Sequence, residues 1–267
     1  MSDEVLIDEL WRRLGPLLPP RPRRFRYPGR HAVNDRVVLA GIVWVLRHDV
    51  PWRQLPTSFG VSGVTCWRRL RDWQAAGVWQ KLHEALLAGL HAAGRLDLHA
   101  AIVDSSHVHA LKRGEATGPS PVNRGHAGSK HHLITNRHGV PLAVIVTAGN
   151  RHDITQLTPL VEAIPPIRGR RGRPKRRPRY LLADRGYDHS AYRRQLAAHG
   201  ITAIIARRGT AHGSGLGRHR WPVERTLGWL HQFRWLRTRW ERRADIHHAL
   251  LSLACSIICL RKLRGSF

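Results

Sequence analysis

Apolar residues in the first third of the chain recur every three or four positions, which is the period of an amphipathic α-helix. This pattern predicts helices over residues 4–18, 35–48 and 62–76. The Pro- and Arg-rich stretch 18–30 predicts a loop, and the broken segment VPWRQLPTSFG separates the second helix from the third. Residues 1–98 are therefore expected to form an all-α domain.

The third predicted helix has a basic surface. Ser62 stands where an N-terminal cap is expected, and Arg68, Arg69 and Arg71 spread over the faces away from the apolar side. A helix, a tight turn and a basic helix make up the helix-turn-helix pattern, so these three arginines are candidate DNA contacts. The alternative is a packed helical domain whose arginines are only solvated.

After residue 98 the pattern changes to short apolar runs that alternate with helical segments. The predicted order is a strand (99–106), a β-hairpin (130–149), a helix (154–164), a strand (179–188), a helix (190–200), a strand (201–207) and a broken helical region (221–263). Ser190 is expected to cap the second of these helices and Gly200 to follow its end. Such alternation predicts an α/β fold with a mixed sheet covered by helices, in a domain spanning 99–267.

Composition adds a large positive charge to this picture. Lys and Arg number 45 against 18 Asp and Glu, a net charge of +27. Residues 1–98 hold 15 basic and 9 acidic side chains, and 99–267 hold 30 and 9, so the excess is +6 and +21. A polyanion is the expected partner, with nucleic acid as the default. Only 5 of the basic residues are Lys, a bias that fits either bidentate phosphate contacts or a GC-rich genome.

The same composition argues against several other classes of protein. The longest apolar run, 249–260, is too short to span a bilayer, and the acidic N-terminus lacks the apolar centre of a secretory signal. Three cysteines are too few for a disulfide framework or for a zinc site made of Cys alone. A soluble, cytoplasmic protein without a membrane partner is expected.

A basic segment lies between the predicted helix 154–164 and the strand that follows it. Eight residues of PIRGRRGRPKRRPR are Arg or Lys, and its Gly and Pro residues prevent a regular helix. The segment 165–180 is predicted to be a loop that contacts a phosphate backbone through Arg173, Lys175, Arg176 and Arg177. The alternative is a flexible basic linker.

Three of the few acids in 99–267 fall where a catalytic site is expected. Asp104 and Asp184 each end an apolar run, and Glu224 lies on the helix after the last strand, with Pro222 suited to that helix's first turn. Converging carboxylates repel one another unless a cation compensates them, and Mg²⁺ takes carboxylates together with substrate phosphates. Two such ions support phosphodiester cleavage and transfer. Each acid taken alone fits an ordinary surface or turn role.

Several longer stretches stand out as a set. They are DSSHVHA (104–110), GSKHHLITNRHGVPLAVIVTAGNRHD (128–153), ADRGYD (183–188), RHRWPVERTLGWLHQFRWL (218–236) and, nearer the N-terminus, GIVWVLRHDVPWRQLP and CWRRLRDW. Together they resemble the DDE transposases of bacterial insertion sequences, in the insertion-sequence-five family of the insertion-sequence-four-like superfamily. The resemblance covers nearly the whole chain.

The resemblance implies an RNase H-like catalytic core whose three acids are Asp104, Asp184 and Glu224. The superfamily signature around the glutamate is Tyr, two spacers, Arg, three spacers, Glu, six spacers, Lys. Arg220 and Glu224 match it, whereas Gly217 replaces the Tyr and His231 replaces the Lys. His231 falls on the same helix face as Glu224, so it is a candidate phosphate contact, only partly charged at neutral pH.

The resemblance also implies a function. A transposase would bind the terminal inverted repeats of its element mainly through residues 1–98, cut the ends with two Mg²⁺ ions (Mn²⁺ being a plausible substitute) and join them to target DNA. Cutting two ends together implies a homodimer or larger synaptic complex on double-stranded DNA. The rivals are an RNase H-like nuclease without strand transfer and a catalytically inactive, transposase-derived DNA-binding protein. Asn150, His152 and Asp153 recur in the family, and either a turn or a site role fits them.

Overall fold

The computed structural model describes residues 2–21, 25–26, 31–209 and 217–265, so parts of the predicted loop 18–30 lie outside the described residues. The N-terminal region is helical, as the apolar period predicts. Its helices are α1 (Asp3–Leu14), α2 (Asp35–His48), α3 (Gly63–Ala75) and α4 (Val78–Ala92). Ser62 caps α3 as expected, because its side chain accepts a hydrogen bond from the Thr65 backbone N–H at 3.2 Å.

The turns between these helices differ from the predicted helix-turn-helix. The connection from α2 to α3 runs over residues 49–62 and contains two short 3₁₀ turns, so it is not tight. The tight turn follows α3 instead, where Gly77 adopts a left-handed conformation (φ 68°) directly before α4. Any helix-turn-helix therefore consists of α3 and α4, with α3 as its first helix.

A mixed sheet forms the centre of the second half of the chain. Its strands are β1 (Ala100–Ala110), β2 (Gly118–Pro119), β3 (Ala127–Asn136), β4 (Pro141–Ala148), β5 (Tyr180–Ala183), β6 (Thr202–Ile205) and β7 (Thr238–Arg239). The main order is β4-β3-β1-β5-β6, in which β3 runs antiparallel to β1 and β4 whereas β1, β5 and β6 are parallel. This is an RNase H-like arrangement and confirms the predicted fold class.

Helices cover the sheet, with some boundaries that differ from the sequence prediction. They are α5 (Leu157–Glu162), α6 (Ser190–Ala198), α7 (Gly217–Gln232), α8 (Arg234–Arg237) and α9 (Ala244–Arg264). The cap of α6 is the His189 side chain, which accepts from the Ala191 N–H, so the prediction of Ser190 as cap is wrong. Because α7 begins at Gly217, Pro222 lies in its second turn and not in its first.

Helix α9 joins the two halves of the chain. It packs against α1, α3 and α4 on one side and against β4 on the other, and Cys255 and Cys259 are buried within it. It is long and apolar enough to cross a membrane, but 78% of its apolar window is buried inside the protein, which is the arrangement of a core helix. Buried apolar side chains from Leu6 to Leu260 form one continuous cluster, so a division at residue 98 stays a prediction.

Indole and carboxylate groups also link the two halves. Glu241 accepts hydrogen bonds from the indole N–H of Trp52 at 2.8 Å and of Trp67 at 3.4 Å. In the opposite direction, Asp49 accepts from the indole N–H of Trp240 at 2.9 Å. A cavity of about 560 Å³ lies among these side chains. Each half therefore supplies an acid to the tryptophans of the other.

Candidate active site

The sheet places Asp104 and Asp184 at matching positions along two neighbouring parallel strands. The parallel ladder between β1 and β5 ends with the pair Ile102–Leu182, and each acid lies two residues further along its strand direction. Since side chains alternate along a strand, Asp104 shares the sheet face of Ile102, and Asp184 that of Leu182. Neighbouring strands lie about 4.8 Å apart, so the two acids stand side by side at the carboxyl end of β5.

Helix α7 adds Glu224 and Arg220 over the same face. Its residues 220 and 224 are one turn apart, and the Arg220 guanidinium lies 3.2 Å from an Asp104 oxygen and 3.6 Å from a Glu224 oxygen. The side chains of Arg220 and Asp104 are each 19% exposed, whereas that of Glu224 is 56% exposed. Arg220 thus bridges two of the three predicted acids from a largely buried position.

The acids influence one another electrostatically. Burial raises the pKa of Asp104, and the negative charges of Asp184 and Glu224 raise it further. The Ser105 backbone N–H, 2.8 Å from an Asp104 oxygen, and the Arg220 guanidinium act in the opposite direction. Because the pKa of Asp104 stays raised, Arg220 only partly compensates the buried carboxylate.

The donor set suits a hard divalent cation, although the side chains are not closed around one. Asp104, Asp184 and Glu224 offer only carboxylate oxygens, which Mg²⁺ and Mn²⁺ prefer. Within the described ranges, no three His, Cys, Asp or Glu side chains are close enough to share one metal ion. The Arg220 guanidinium instead stands between Asp104 and Glu224, where it supplies the positive charge. The residues therefore fit a cation provided that Arg220 and the exposed Glu224 side chain rearrange.

His231 does not provide the positive charge of the family lysine. Its ring nitrogen lies 3.2 Å from the Ser106 hydroxyl, two residues beyond Asp104, as expected for a residue on the Glu224 face of the helix. Burial lowers the pKa of His231, and the charge of Arg237 lowers it further. At neutral pH the ring is therefore uncharged, and a phosphate contact through it would be a neutral hydrogen bond.

The predicted DNA contacts on α3 occupy different environments. Arg68 is exposed, and Arg71 pairs with Asp72 at 2.7 Å while lying 5.8 Å from the centre of the Trp67 ring. Arg69 is only 16% exposed and pairs with Asp35 of α2 at 3.1 Å. An arginine held this way ties two helices together, so the structure gives Arg69 a packing role.

The basic loop lies at the far end of β5 from the acids. Arg173, Lys175, Arg176 and Arg177 are all exposed, and backbone hydrogen bonds between Ile167 and Lys175 close the loop. The four residue steps from Tyr180 to Asp184 correspond to about 13 Å of strand. The prediction placed this loop next to Asp184 in sequence, but the strand separates them in space.

A polar cluster behind the acids was not predicted. The Lys130 amino group, 5% exposed as a residue, donates to the Asp153 carboxylate at 2.9 Å and to the Arg151 carbonyl at 2.8 Å. Tyr187 is 2% exposed; burial raises the pKa of its phenol, and the charges of Asp153, Asp104 and Asp184 raise it further. The recurring GNRHD stretch was the available signal for Asp153, whereas nothing local in the sequence links Lys130 to it. His152 is exposed and accepts a turn hydrogen bond from Thr155, which is the turn role.

A recess with a mixed apolar and polar lining, including Arg137 and His219, adjoins the acids on their own face of the sheet. A cavity of about 340 Å³ lies against Ile102, Leu182 and the half-exposed Trp221. The Arg225 guanidinium lies 4.2 Å from the centre of the Trp221 ring and 4.5 Å from that of Trp229. This stack holds a cation and an aromatic surface next to Glu224.

Two transposase families match this chain. The transposase DDE domain family matches residues 97–259, and a family described as putative transposase of the IS4/5 family matches residues 6–83. A putative transposase for insertion sequence element IS402 of Burkholderia cepacia is 59% identical over 148 residues, which is 55% of this chain and 70% of that protein. An IS402 16.2 kDa protein of the same organism is 53% identical over 45% of this chain and 84% of its own length.

Among solved structures, the Mos1 strand transfer complex aligns over 92% of this chain and 81% of its own, at 13% identity and a TM-score of 0.32. That score is too low to support an argument. The two family matches and the IS402 relative carry the assignment. The chain therefore belongs to the DDE transposase family of bacterial insertion sequences, and it is a DNA transposase.

Proposed function

We propose that this transposase cuts the terminal inverted repeats of its own insertion sequence and joins the freed 3′-hydroxyls to target DNA, with Asp104, Asp184 and Glu224 as the catalytic acids. The observation that carries the proposal is the position of Asp104 and Asp184 on neighbouring strands, with Glu224 above them on α7. The charges of Asp184 and Glu224 both raise the pKa of Asp104. Acids scattered incidentally over the surface would not act together on the pKa of one largely buried carboxylate.

The three acids are proposed to hold two divalent cations, Mg²⁺ or in its place Mn²⁺. When bound, such ions activate a water or 3′-hydroxyl and stabilise the leaving oxygen. The chain itself prepares the site, because the Asp104 carboxylate is already desolvated and is oriented by the Ser105 N–H at 2.8 Å. Glu224, with its side chain 56% exposed, is the ligand that must turn inward.

Arg220 is proposed to alternate between the acids and the DNA. Its guanidinium neutralises Asp104 and Glu224, at 3.2 and 3.6 Å. A bound cation would replace that charge and free the guanidinium for a bidentate phosphate contact. This exchange would couple metal binding to DNA binding at the scissile phosphate.

The remaining positive charge is proposed to hold double-stranded DNA. The exposed arginines of the loop 165–180, together with Arg68 and Arg71 on α3, supply phosphate contacts remote from the acids. The N-terminal helices would recognise the inverted repeat. Two ends must be cut together, so a homodimer or larger synaptic complex, associated with the bacterial nucleoid, is part of the proposal.

The decisive experiment compares the parent with Asp184→Asn, and with Asp188→Asn as a matched control four residues away. Purified proteins are mixed with DNA carrying the cognate ends in Mg²⁺, and binding, end cleavage and joined product are measured separately. We expect Asp184→Asn to bind normally and to lose cleavage by on the order of 10³-fold, with the control unchanged.

Each other outcome has a definite meaning. Cleavage that survives in Asp184→Asn would show that the site is assigned wrongly. Cleavage by the parent without any joined product would favour the nuclease without strand transfer. A parent that binds the ends but never cuts them would favour the inactive, transposase-derived DNA-binding protein.

A further inference from the structure

A large cavity lies where the N-terminal helices meet the second half of the chain. Its volume is about 560 Å³, and it is lined by the indole rings of Trp52, Trp235 and Trp240. The centre of the Trp235 ring lies 6.1 Å from that of Trp52 and 6.1 Å from that of Trp240, so the rings form one aromatic cluster. Ligand sites are commonly about 300–1,000 Å³ and lined by aromatic side chains. This tryptophan cavity therefore has the size and the lining of a site for a flat organic group.

Hydrogen bonds hold two rings of the tryptophan cavity in place. The indole N–H of Trp52 donates to Glu241 at 2.8 Å, and that of Trp240 donates to Asp49 at 2.9 Å. Trp235 is 3% exposed, and its indole N–H has no hydrogen-bond partner among the described residues. A site whose groups are already ordered loses little conformational entropy when it binds a ligand. The aromatic surface is therefore preorganised, and one buried donor in its wall is still without a partner.

The charged side chains around the tryptophan cavity restrict what it can bind. Arg53 and Lys112 line it, are exposed, and form no ion pair or hydrogen bond with any residue in the described ranges. Asp49 and Glu241 also line it, and one oxygen of the Asp49 carboxylate accepts no hydrogen bond from Trp240. The carboxylates disfavour a simple anion, and the two cations disfavour a simple cation. A nucleotide suits both sets, because its phosphate pairs with the cations and its exocyclic amino group donates to a carboxylate.

The tryptophan cavity is separate from the three acids but lies along the same strand. The end of β1 pairs with β7, where Ala110 lies opposite Arg239, and Trp240 follows directly. Six residue steps separate Ala110 from Asp104, which corresponds to roughly 20 Å of strand. That length equals about six nucleotide steps of one DNA strand at 3.4 Å each. One DNA molecule can therefore reach the acids and the cavity at the same time.

We propose that the tryptophan cavity binds one unpaired nucleotide of the DNA substrate, with its base stacked on the indole rings and its phosphate held by Arg53 and Lys112. Asp49 accepts a hydrogen bond from the exocyclic amino group of the base. The base has to be unpaired, because a base within a duplex is stacked on both sides and its amino group is engaged in pairing. This binding site goes beyond the proposed function and does not depend on which acids are catalytic.

Binding of octanucleotides in EDTA tests the proposal without metal-dependent cleavage. The full-length protein is titrated into fluorescein-labelled (dC)8, (dT)8 and an abasic octamer of the same charge, and fluorescence anisotropy is measured. We expect (dC)8 to bind about 10-fold more tightly than the abasic octamer, because its bases can stack on the indoles. Binding of (dT)8 should be intermediate, because thymine has no exocyclic amino group.

A tryptophan variant assigns the stacking to this cavity. Trp240→Leu should remove the difference in affinity between (dC)8 and the abasic octamer. The matched control is Trp11→Leu, which replaces a half-buried indole on α1 and should retain that difference. Thermal unfolding of both variants establishes that they are folded.

A pair of cation variants assigns the phosphate contact. Replacing Arg53 and Lys112 with Gln should weaken the binding of all three octamers equally, on the order of 10-fold, because each octamer has the same phosphates. The control replaces Lys81 and Arg194 with Gln, which removes the same charge from exposed positions on α4 and α6. Equal losses in the two double variants would overturn the phosphate contact.

Photochemical cross-linking to the parent protein requires no variant to fold. An octamer that carries a single 5-iodo-dC is irradiated in the complex, and the modified residue is identified by mass spectrometry. We expect cross-links to Trp52, Trp235 or Trp240. Cross-links confined to other residues would overturn the proposal.

The remaining outcomes are equally definite. Equal affinity for (dC)8 and the abasic octamer would overturn the proposal, and equal affinity for (dC)8 and (dT)8 would overturn the contact to Asp49. If Trp240→Leu reduced self-association in gel filtration and left octamer binding unchanged, the cavity would bind a second copy of the chain and the proposal would be wrong. Cleavage by Asp184→Asn is measured separately, so failure of the catalytic assignment would be recognised on its own.

Discussion

Individual histidines of this protein differ sharply in their surroundings. His131 on β3 and His247 on α9 are fully buried, and their ring nitrogens lie 2.8 Å apart, so one ring donates to the other. Burial lowers the pKa of His247 to about 3 and that of His131 well below its ordinary value. In the sequence these residues belong to two separate pairs, His131-His132 and His247-His248, with nothing that links one pair to the other. The structure shows packing, with neutral rings.

These neutral rings predict acid-sensitive folding. The unfolded His247 takes up a proton below its ordinary pKa of 6.5, whereas the folded one does so only near 3. The stabilisation is therefore complete above 6.5 and is lost as the pH falls toward 3, by about 1.4 kcal/mol per pH unit for one histidine. Urea unfolding between about pH 7 and pH 5 should show a shallower pH slope for His247→Gln than for the parent.

The exposed His126 offers a matched control for this experiment. His126→Gln should keep the slope of the parent, because it removes no buried imidazole. An equal slope in His247→Gln and the parent would mean that the buried ring is not the source of the pH dependence.

At the scale of elements, the sequence predicted the helices and strands that have a clear apolar pattern within their own residues. The boundaries of α2 agree with the apolar period, and the β3–β4 hairpin and the strand before Asp184 were expected from short apolar runs. Helix α4 was not predicted, although Leu82, Leu86 and Leu90 follow a helical period and could have revealed it. The sequence pattern predicts a tight turn before α3, whereas the structure has the tight turn after α3, at Gly77.

The candidate site was predictable only in part, for a related reason. Asp184 directly follows the end of β5, whereas Asp104 lies in the middle of β1 and Glu224 in the middle of α7. The sequence therefore indicated the order of the three acids along the chain, but not that two of them lie inside their elements. Arg220 matched the family signature, but its bridge between Asp104 and Glu224 depends on how α7 packs on β1. Tyr187 depends on the path of the chain after β5. Contacts between distant segments leave no periodic trace in a sequence.

The basic loop allows a prediction about one element. Because Arg173 and Arg176 are exposed, replacing both with Gln should not change stability, but it should weaken DNA binding on the order of 10-fold. The salt dependence of binding should become shallower by roughly 2 in the slope of log affinity against log salt. Fluorescence anisotropy with cognate and unrelated duplexes checks both values, and the loss should be equal on the two sequences.

A control that removes the same charge at other positions distinguishes an effect of the loop from a general effect of net charge. Arg12→Gln with Arg194→Gln removes the same charge from α1 and α6. If this control weakened binding as much as the loop variant, the loop would have no specific part in holding DNA.

At the scale of the whole molecule, the charge and the core are distributed differently. The positive excess lies mostly in 99–267, together with the proposed catalytic acids, so the charge is better suited to holding DNA for cutting than to reading its sequence. The buried apolar cluster, in contrast, runs without interruption through both halves. A protein built this way would present the proposed DNA contacts and the proposed catalytic acids from a single packed unit.

The carboxylate–indole hydrogen bonds between the two halves predict how the protein responds when the chain between them is cut. Since Glu241 binds Trp52 and Trp67, Asp49 binds Trp240, and α9 packs on α4, the peptide link at 93–99 is not what keeps the halves together. A protease site engineered there and cut after folding should give two fragments that co-elute in gel filtration and retain the tryptophan emission of the intact protein. Glu241→Gln should make the nicked protein dissociate at lower urea than Asp245→Asn does. Fragments that separate at once would show that the covalent link is essential. A stable nicked complex would show that the two halves of this transposase remain associated through non-covalent contacts after the chain is cut.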